Sequence, residues 1–137
     1  MQIGKFSIGT GDRFEHQGEA QLRAVMRAAK KGVEITTVWN KSNREHNIVH
    51  SEPTGTRREA DAAVAALGWT GQYLVDADHI NLGNVDRFIA VSDFFTLDVA
   101  MYINKPAAEE AVTAFKQSCA VFGSEVRIPG IPDPIVI

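Results

Sequence analysis

Short apolar stretches alternate with amphipathic stretches along the chain. The short ones are rich in β-branched or aromatic residues and predict strands, while apolar residues three or four positions apart predict helices with one buried side. The predicted elements are a strand at 2–8, a turn at 9–12, a helix at 19–31, a strand at 33–39, a loop at 40–47, a helix from the capping box Thr56–Glu59 to Gly68, a strand at 73–77, a short helix after Asn84 that buries Val85, Phe88 and Ile89, a strand at 94–99 and a helix after Pro106.

The end of the chain departs from this alternation. The last helix is predicted to bury a stripe made of Ala108, Ala111, Val112, Phe115 and Cys119. Residues 124–137 form a proline-rich tail, because Pro129, Pro132 and Pro134 exclude a regular helix or central strand there. Residues 135–137 are apolar and resemble the opening of another element.

Four strands, each followed by a helix, imply parallel pairing, because each helix returns the chain to the same end of the sheet. The predicted fold class is therefore α/β, with parallel (β/α) units that form a half or partial barrel. Residues 1–137 are expected to form a single (β/α)4-type domain. Such a sheet would expose an unpaired edge, through which a homo-oligomer could form.

Composition narrows the functional classes. A chain of 137 residues is too short for a complete (β/α)8 barrel, which needs about 250. Fourteen Lys and Arg against seventeen Asp and Glu, without long runs of like charge, argue against nucleic-acid binding. The single cysteine, Cys119, cannot form an internal disulfide, and no signal peptide or membrane-spanning stretch is evident, so we expect a cytoplasmic protein without a membrane partner.

Polar side chains cluster where the predicted strands end. In parallel α/β folds, ligands bind at the carboxyl ends of the strands. Three of the four histidines fall at that end. The candidate binding residues are Arg13, His16 and Gln17 after the first strand, Asn40, Lys41, Asn43, Arg44 and His46 after the second, and Asp76, Asp78 and His79 after the third.

The segment VDADHI at 75–80 is the sharpest local signal. Asp76 and Asp78 would share one side of the strand, and His79 has the ligand type that Zn²⁺, Mn²⁺, Ni²⁺ or Fe²⁺ accepts. A neighbouring carboxylate can act as a second ligand or as a general base. The alternative is that His79 caps a helix or binds a backbone carbonyl.

The segment WNKSNREH at 39–46 supplies two cations, two amides and a histidine. Such donors suit a polyhydroxylated acid, since a guanidinium pairs with a carboxylate through two hydrogen bonds. A solvated loop is the alternative. The sequence Gly9-Thr10-Gly11 begins like a dinucleotide-binding motif, but Phe14 replaces its third glycine, which disfavours NAD.

Several of these segments together resemble the tagaturonate/fructuronate epimerase family. The motifs that carry the resemblance are GTGDRF at 9–14 with HQG at 16–18, WNKSNREH at 39–46, VDADHIN at 75–81, VDRFI at 85–89 and SDFFTLDVA at 92–100. They occur in the same order and cover nearly the whole chain to about Ala100.

The resemblance implies a metal-dependent isomerase of hexuronate catabolism with a TIM-barrel-like fold. Asp78 would be its proton acceptor and His79 a ligand of a divalent cation, with a small sugar acid as substrate. The other ligands and the catalytic acid would lie further along a longer chain, so the sequence is expected to be an N-terminal portion, and it could be inactive alone. The position and charge of Arg13, Lys41 and Arg44 suit the substrate carboxylate.

Two alternatives belong to other functional classes. A small open-sheet module could bind Mg²⁺ or a phosphorylated partner through Asp12, Asp76 and Asp98 without turnover. A non-catalytic half-barrel could instead assemble with a second chain through its open edge and the apolar residues 135–137.

Overall fold

The computed structural model describes residues 4–123 and 125–136. The chain divides after Val99 into two compact units. The first contains β1 (Ser7–Gly11), α1 (Gly18–Ala29), β2 (Thr36–Ser42), α2 (Asn43–Val49), α3 (Pro53–Leu67), β3 (Tyr73–Ile80), α4 (Asp86–Ile89) and β4 (Phe94–Leu97). The second contains α5 (Glu109–Cys119), a 3-10 turn (Ala120–Phe122), β5 (Glu125–Val126) and β6 (Ile135–Val136).

The first unit is built on one parallel sheet with the strand order β1-β2-β3-β4. The register places Asn40 of β2 beside Gly11 of β1 and Asp76 of β3, so the carboxyl ends of these strands lie at the same end of the sheet. Helices occupy the connections between successive strands, as parallel pairing requires. The predicted α/β class and parallel order are confirmed.

The main core lies where α1 and α3 pack against each other and against β2 and β3. Its buried cluster consists of Leu22, Trp39, Ala60, Ala63 and Val75. Burial of a side chain such as Leu22 contributes about 2 kcal/mol, which is why the apolar stripes predicted for these helices face inward. This core fixes the two central strands whose ends carry most of the candidate site.

The first two strands begin later than predicted. Residues 4–6 are not in β1, Gly9–Gly11 extend it instead of forming a turn, and residues 2 and 3 lie outside the described part of the chain. β2 begins at Thr36 and continues to Ser42, and α2 follows directly, so the predicted loop at 40–47 is wrong. β2 has partners on both sides, and backbone hydrogen bonds carry the strand through its polar end.

The predicted start of α3 is also wrong. The helix begins at Pro53, whose missing N–H suits a first turn, and Thr56 is buried within it. The capping box is found instead at Ser42 and Glu45, where α2 begins. Both segments have the S/T-x-x-E spacing, so the pattern alone does not distinguish them.

The end of β3 is held by a second buried cluster of Ala77, Ile80 and Phe88. β3 runs to Ile80, three residues beyond its predicted end, whereas β4 stops at Leu97. Phe88 is buried as predicted, but Ile89 is 58% exposed. Successive residues of a helix point about 100° apart, so a single turn that buries Phe88 leaves its neighbour outside.

The second unit has one helix and a two-stranded antiparallel ladder, in which Glu125 pairs with Val136. No described side chain of α5 is fully buried, and Phe115 is 64% exposed, so the predicted buried stripe is wrong. Residues 127–134 are irregular, as their prolines predict. Residues 124 and 137 of the predicted tail lie outside the described chain.

None of the helices in the described chain is long and apolar enough to span a bilayer.

Candidate active site

A polar cleft of about 660 Å³ lies at the carboxyl ends of β2 and β3. Its walls come from α2, the end of β3, the turn before α4 and the residue that follows β4. The lining residues are Ser42, Asn43, Arg44, Glu45, Asn47, Ile48, Asp78, His79, Asn81, Asn84 and Asp98. The cleft therefore includes four of the predicted site residues, Asn43, Arg44, Asp78 and His79.

One wall of the cleft is fixed by the capping box of α2. The Glu45 N–H donates to Ser42 Oγ at 3.2 Å, and the Ser42 N–H donates to Glu45 Oε2 at 3.1 Å. Arg13 lies 3.3 Å from Glu45 Oε1. Burial alone would raise the pKa of Glu45, but the hydrogen bonds from Ser42 and the charge of Arg13 outweigh it and lower that pKa. Arg13 thus adjoins the cleft through Glu45.

Another part of the cleft lining contains Asp78 and His79, where β3 becomes irregular. The register between β3 and β4 shifts between Ala77 and Ile80, and His79 has a φ of 56°. Such irregularities redirect side chains at strand ends and occur often at functional sites. His79 Nδ1 lies 2.8 Å from Asp78 Oδ1, and the side chain of His79 is 66% exposed. The hydrogen bond and charge of Asp78 raise the pKa of His79.

The donor chemistry of Asp78 and His79 suits a divalent cation in part. A carboxylate that holds one ring nitrogen of a histidine is the usual support for a histidine ligand, because it fixes the ring and leaves the other nitrogen for the metal. Asp98 lines the same cleft. Across residues 4–123 and 125–136, however, no three His, Cys, Asp or Glu side chains are grouped closely enough to hold one ion. The Asp78–His79 pair could therefore supply only part of a metal-ligand set.

Lys41 and His46, which were predicted to bind substrate, are buried below the cleft. We call Glu15, Lys41, His46 and Ser51 the buried network. Lys41 Nζ donates to Glu15 Oε1 at 2.9 Å and to Ser51 Oγ at 2.7 Å, and its side chain is 1% exposed. Ser51 Oγ lies 2.9 Å from His46 Nδ1.

The charge of His46 is set mainly by its surroundings. Burial, followed by the charge of Lys41, lowers the pKa of His46 to about 4, so the ring is neutral at pH 7. An ammonium group only donates, so Ser51 Oγ accepts from Lys41 Nζ, and the same hydroxyl is hydrogen-bonded to His46 Nδ1. Ser51 thus links Lys41 to His46.

Asp76 and Asn40 lie on neighbouring strands, away from the cleft lining. Asp76 is buried and accepts hydrogen bonds from the Thr96 N–H at 3.1 Å and Oγ1 at 2.7 Å. Burial raises the pKa of Asp76, as does the charge of Asp78, while the bonds from Thr96 oppose the shift. A Cβ atom at Gly9 or Gly11 would come within 3.1 Å of the Asn40 carboxamide. The two glycines of the GTG segment thus make room for Asn40.

His16 and Gln17 lie in the exposed connection from β1 to α1 and do not line the cleft. Asp12 organises this connection by accepting hydrogen bonds from the N–H groups of residues 14–17. Burial alone would raise the pKa of Asp12, but the hydrogen bonds from these amides outweigh it and lower the pKa. Asp12 therefore has a structural role in this loop.

Three asparagines that line the cleft, Asn47, Asn81 and Asn84, are not among the candidate binding residues predicted from the sequence, although Asn81 belongs to the polar end of the third strand. Asn47 lies one helical turn after Asn43, so recognising it required the helix that the predicted loop at 40–47 excluded. Asn81 and Asn84 form the turn into α4, where the Asn81 N–H donates to Asn84 Oδ1 at 2.9 Å. The sequence signal that could have identified them is a pair of asparagines three positions apart, between a predicted strand and a predicted helix.

The fold and cleft define a parallel (β/α) unit with a polar cleft at its strand ends. No family model and no curated protein sequence matches the chain. Among solved structures, it is similar to the fructuronate-tagaturonate epimerase UxaE from Cohnella laeviribosi in its complex with two glycerol molecules, with 22% identity and a TM-score of 0.66 over 99% of this chain and 30% of that one. The one-glycerol and native structures of the same enzyme each give 21% identity and a TM-score of 0.64 over 96% and 29%.

These comparisons establish a shared fold with the epimerase family that the loop motifs resemble. The chain spans about 30% of the length of the solved structures that it matches.

Proposed function

We propose that the chain provides the proton-acceptor and metal-ligand part of an epimerase that interconverts fructuronate and tagaturonate, as the N-terminal portion of a TIM-barrel-like enzyme. The observation that carries the proposal is the Asp78–His79 pair in a polar cleft at the carboxyl ends of parallel strands. The shared fold with a fructuronate-tagaturonate epimerase supports it, as do the loop motifs.

Epimerisation of a keto sugar acid requires a base and a way to stabilise negative charge. The base removes a proton next to the carbonyl, or from a hydroxyl when a C–C bond is broken and remade, and in both cases an oxygen becomes anionic. Asp78 keeps one carboxylate oxygen on His79 Nδ1, which leaves its other oxygen to accept the proton. In the first route, return of a proton to the opposite face of the same carbon completes the inversion. In the second route, the broken C–C bond re-forms on the opposite face of the new carbonyl, whose oxygen takes back the proton to give the inverted hydroxyl.

His79 would hold the divalent cation through Nε2, because Asp78 occupies Nδ1. When bound, such a cation supplies Lewis-acid stabilisation of an anionic oxygen. The ligands that complete its coordination would come from outside the described residues. Zn²⁺, Mn²⁺, Ni²⁺ and Fe²⁺ all accept imidazole.

The function is tested by conversion of tagaturonate with Mn²⁺ supplied, followed by ¹H NMR. Asp78→Asn keeps the side-chain shape and removes the base, so we expect conversion to fall about 10²- to 10⁴-fold. Asp133→Asn, an exposed carboxylate of the second unit, is the matched control and should convert at the wild-type rate. Conversion at the same measurable rate by wild type and Asp78→Asn would contradict the proposal.

The metal role has its own measurement, equilibrium dialysis against Mn²⁺. We expect His79→Ala to weaken Mn²⁺ binding at least about tenfold. Removing a residue that only supports a metal ligand typically weakens metal affinity about 10- to 100-fold, and His79 would be a ligand itself. His16→Ala changes an exposed histidine that does not line the cleft and should bind as wild type does. Equal affinity in wild type and His79→Ala would remove His79 as a ligand.

A further inference from the structure

Four asparagines line the cleft, and each has its carboxamide oxygen engaged by a donor of the protein. Arg87 Nη1 donates to Asn43 Oδ1 at 2.8 Å and to Asn47 Oδ1 at 3.0 Å. The Gly83 N–H donates to Asn81 Oδ1 at 2.9 Å, and the Asn81 N–H donates to Asn84 Oδ1 at 2.9 Å. In all four asparagines, therefore, the carboxamide oxygen accepts a hydrogen bond from within the protein.

This arrangement fixes which way the amides face. A guanidinium and a backbone N–H have hydrogens only to donate, so the atom that meets them must be the carboxamide oxygen. The Nδ2 amino group of each asparagine keeps two hydrogens that can be donated to a ligand. Four such groups and Arg44 supply donors to the cleft, whose lining also contains the carboxylates of Glu45, Asp78 and Asp98.

Arg87 is the residue that sets this orientation on the α2 side. It lies on α4, and its Nη2 also donates to Glu52 Oε2 at 2.9 Å, so the guanidinium is anchored while it holds both asparagines. Asn43 and Asn47 are four positions apart on α2 and therefore occupy the same side of that helix. Their amino groups can act together on one ligand.

We infer that the four asparagine amino groups form the recognition surface of the cleft for a polyhydroxylated carboxylic acid, with the hydroxyl and carboxylate oxygens as acceptors. The choice of a sugar acid as the ligand rests on the proposed function. The donors lie in the same cleft as Asp78 and His79, so a ligand held by its oxygens would be presented to that pair. Arg87 is a positioning residue, because it acts through Asn43 and Asn47.

The inference is tested by substituting the asparagines with aspartate. Asn43→Asp and Asn47→Asp retain an oxygen for Arg87 but replace the amino group with an acceptor, so the fold is kept and the donor is lost. We expect each variant to bind tagaturonate at least about tenfold more weakly, since a hydrogen bond is lost and a like charge is added. Asn104→Asp, an exposed asparagine of the second unit, adds the same charge elsewhere and should bind within about twofold of wild type.

Side-chain amide resonances in ¹⁵N NMR give a direct readout that needs no turnover. Tagaturonate should shift the signals of residues 43, 47, 81 and 84, and inorganic phosphate at the same concentration should shift them less. Unmoved asparagine signals in the presence of bound tagaturonate, or equal responses to phosphate and tagaturonate, would overturn the inference. Shifted asparagine signals together with equal, measurable conversion by wild type and Asp78→Asn would count against the proposed function only, whereas epimerisation with unmoved asparagine signals would count against this inference only.

Discussion

The cleft and the buried network beneath it draw on the same short stretch of sequence, residues 39–46, but have opposite surroundings. Asn43 and Arg44 line the cleft, whereas Lys41 and His46 are each 1% exposed and bonded to other side chains. Both groups contain the residue types that bind sugar acids. Burial and internal hydrogen bonding, not residue type, distinguish the groups that support the fold from those that can meet a ligand.

The comparison predicts the largest loss of stability for the buried network. Lys41→Met removes the partner of the Glu15 carboxylate, whose side chain is only 19% exposed. Breaking a buried ion pair by removing one partner typically costs about 3–5 kcal/mol, because the remaining charge stays desolvated. We expect a decrease of this size in the free energy of unfolding, measured by urea denaturation.

The double variant Lys41→Met/Glu15→Gln serves as the control, since it removes both charges and should recover part of the loss. Lys31→Met, at an exposed position just after α1, should change stability by less than about 0.5 kcal/mol. A loss below about 1 kcal/mol for Lys41→Met would mean that the pair is no more important than a surface contact.

The lowered pKa of His46 predicts that the free energy of unfolding depends on pH. Its pKa is about 4 in the folded chain, against an ordinary value of 6.5 for histidine, because of burial and the charges of Lys41 and Arg87, which the charges of Glu15 and Glu52 partly oppose. Between these two values the unfolded chain binds more protons, so stability falls as the pH decreases from 6.5 towards 4. This lowering of the pKa corresponds to about 3 kcal/mol.

Urea denaturation at a series of pH values measures this effect. His46→Gln removes the titrating ring, so its stability should vary less between pH 6.5 and 4, and the difference from wild type should narrow as the pH decreases. His16→Ala changes a histidine in the exposed connection before α1 and should keep the wild-type pH dependence. The same slope in wild type and His46→Gln would show that another group causes it.

The limits of sequence reasoning are visible in α1 and α5. Both have an apolar stripe, and both are helices, because periodicity reflects local geometry. Leu22 and Val25 of α1 are buried, whereas no described side chain of α5 is fully buried. A stripe predicts which side of a helix would pack but does not identify its partner.

The same reasoning applies to the site. The strand order brings the ends of β2 and β3 together, so the approximate location of the cleft follows from the alternation of elements alone. The division between cleft and buried network does not follow, because it depends on contacts over long sequence separations, such as Lys41 with Glu15 and Arg87 with Asn43. The hydrogen bonds to the asparagine oxygens depend in part on such contacts, so they likewise could not be predicted from the sequence.

The smallest expected effect belongs to the ion pair beside the cleft. Arg13 and Glu45 are 3.3 Å apart, with side chains 49% and 26% exposed, so water and salt screen their attraction. Exposed pairs of this kind contribute at most about 1 kcal/mol, several times less than we expect for Lys41 and Glu15. Arg13→Gln should therefore lower the free energy of unfolding only slightly, and the difference from wild type should nearly vanish in 1 M NaCl, where the screening length is about 3 Å. Urea denaturation at low and high salt measures both quantities. A loss as large as that of Lys41→Met, or one that salt does not reduce, would mean that the two regions are not energetically distinct.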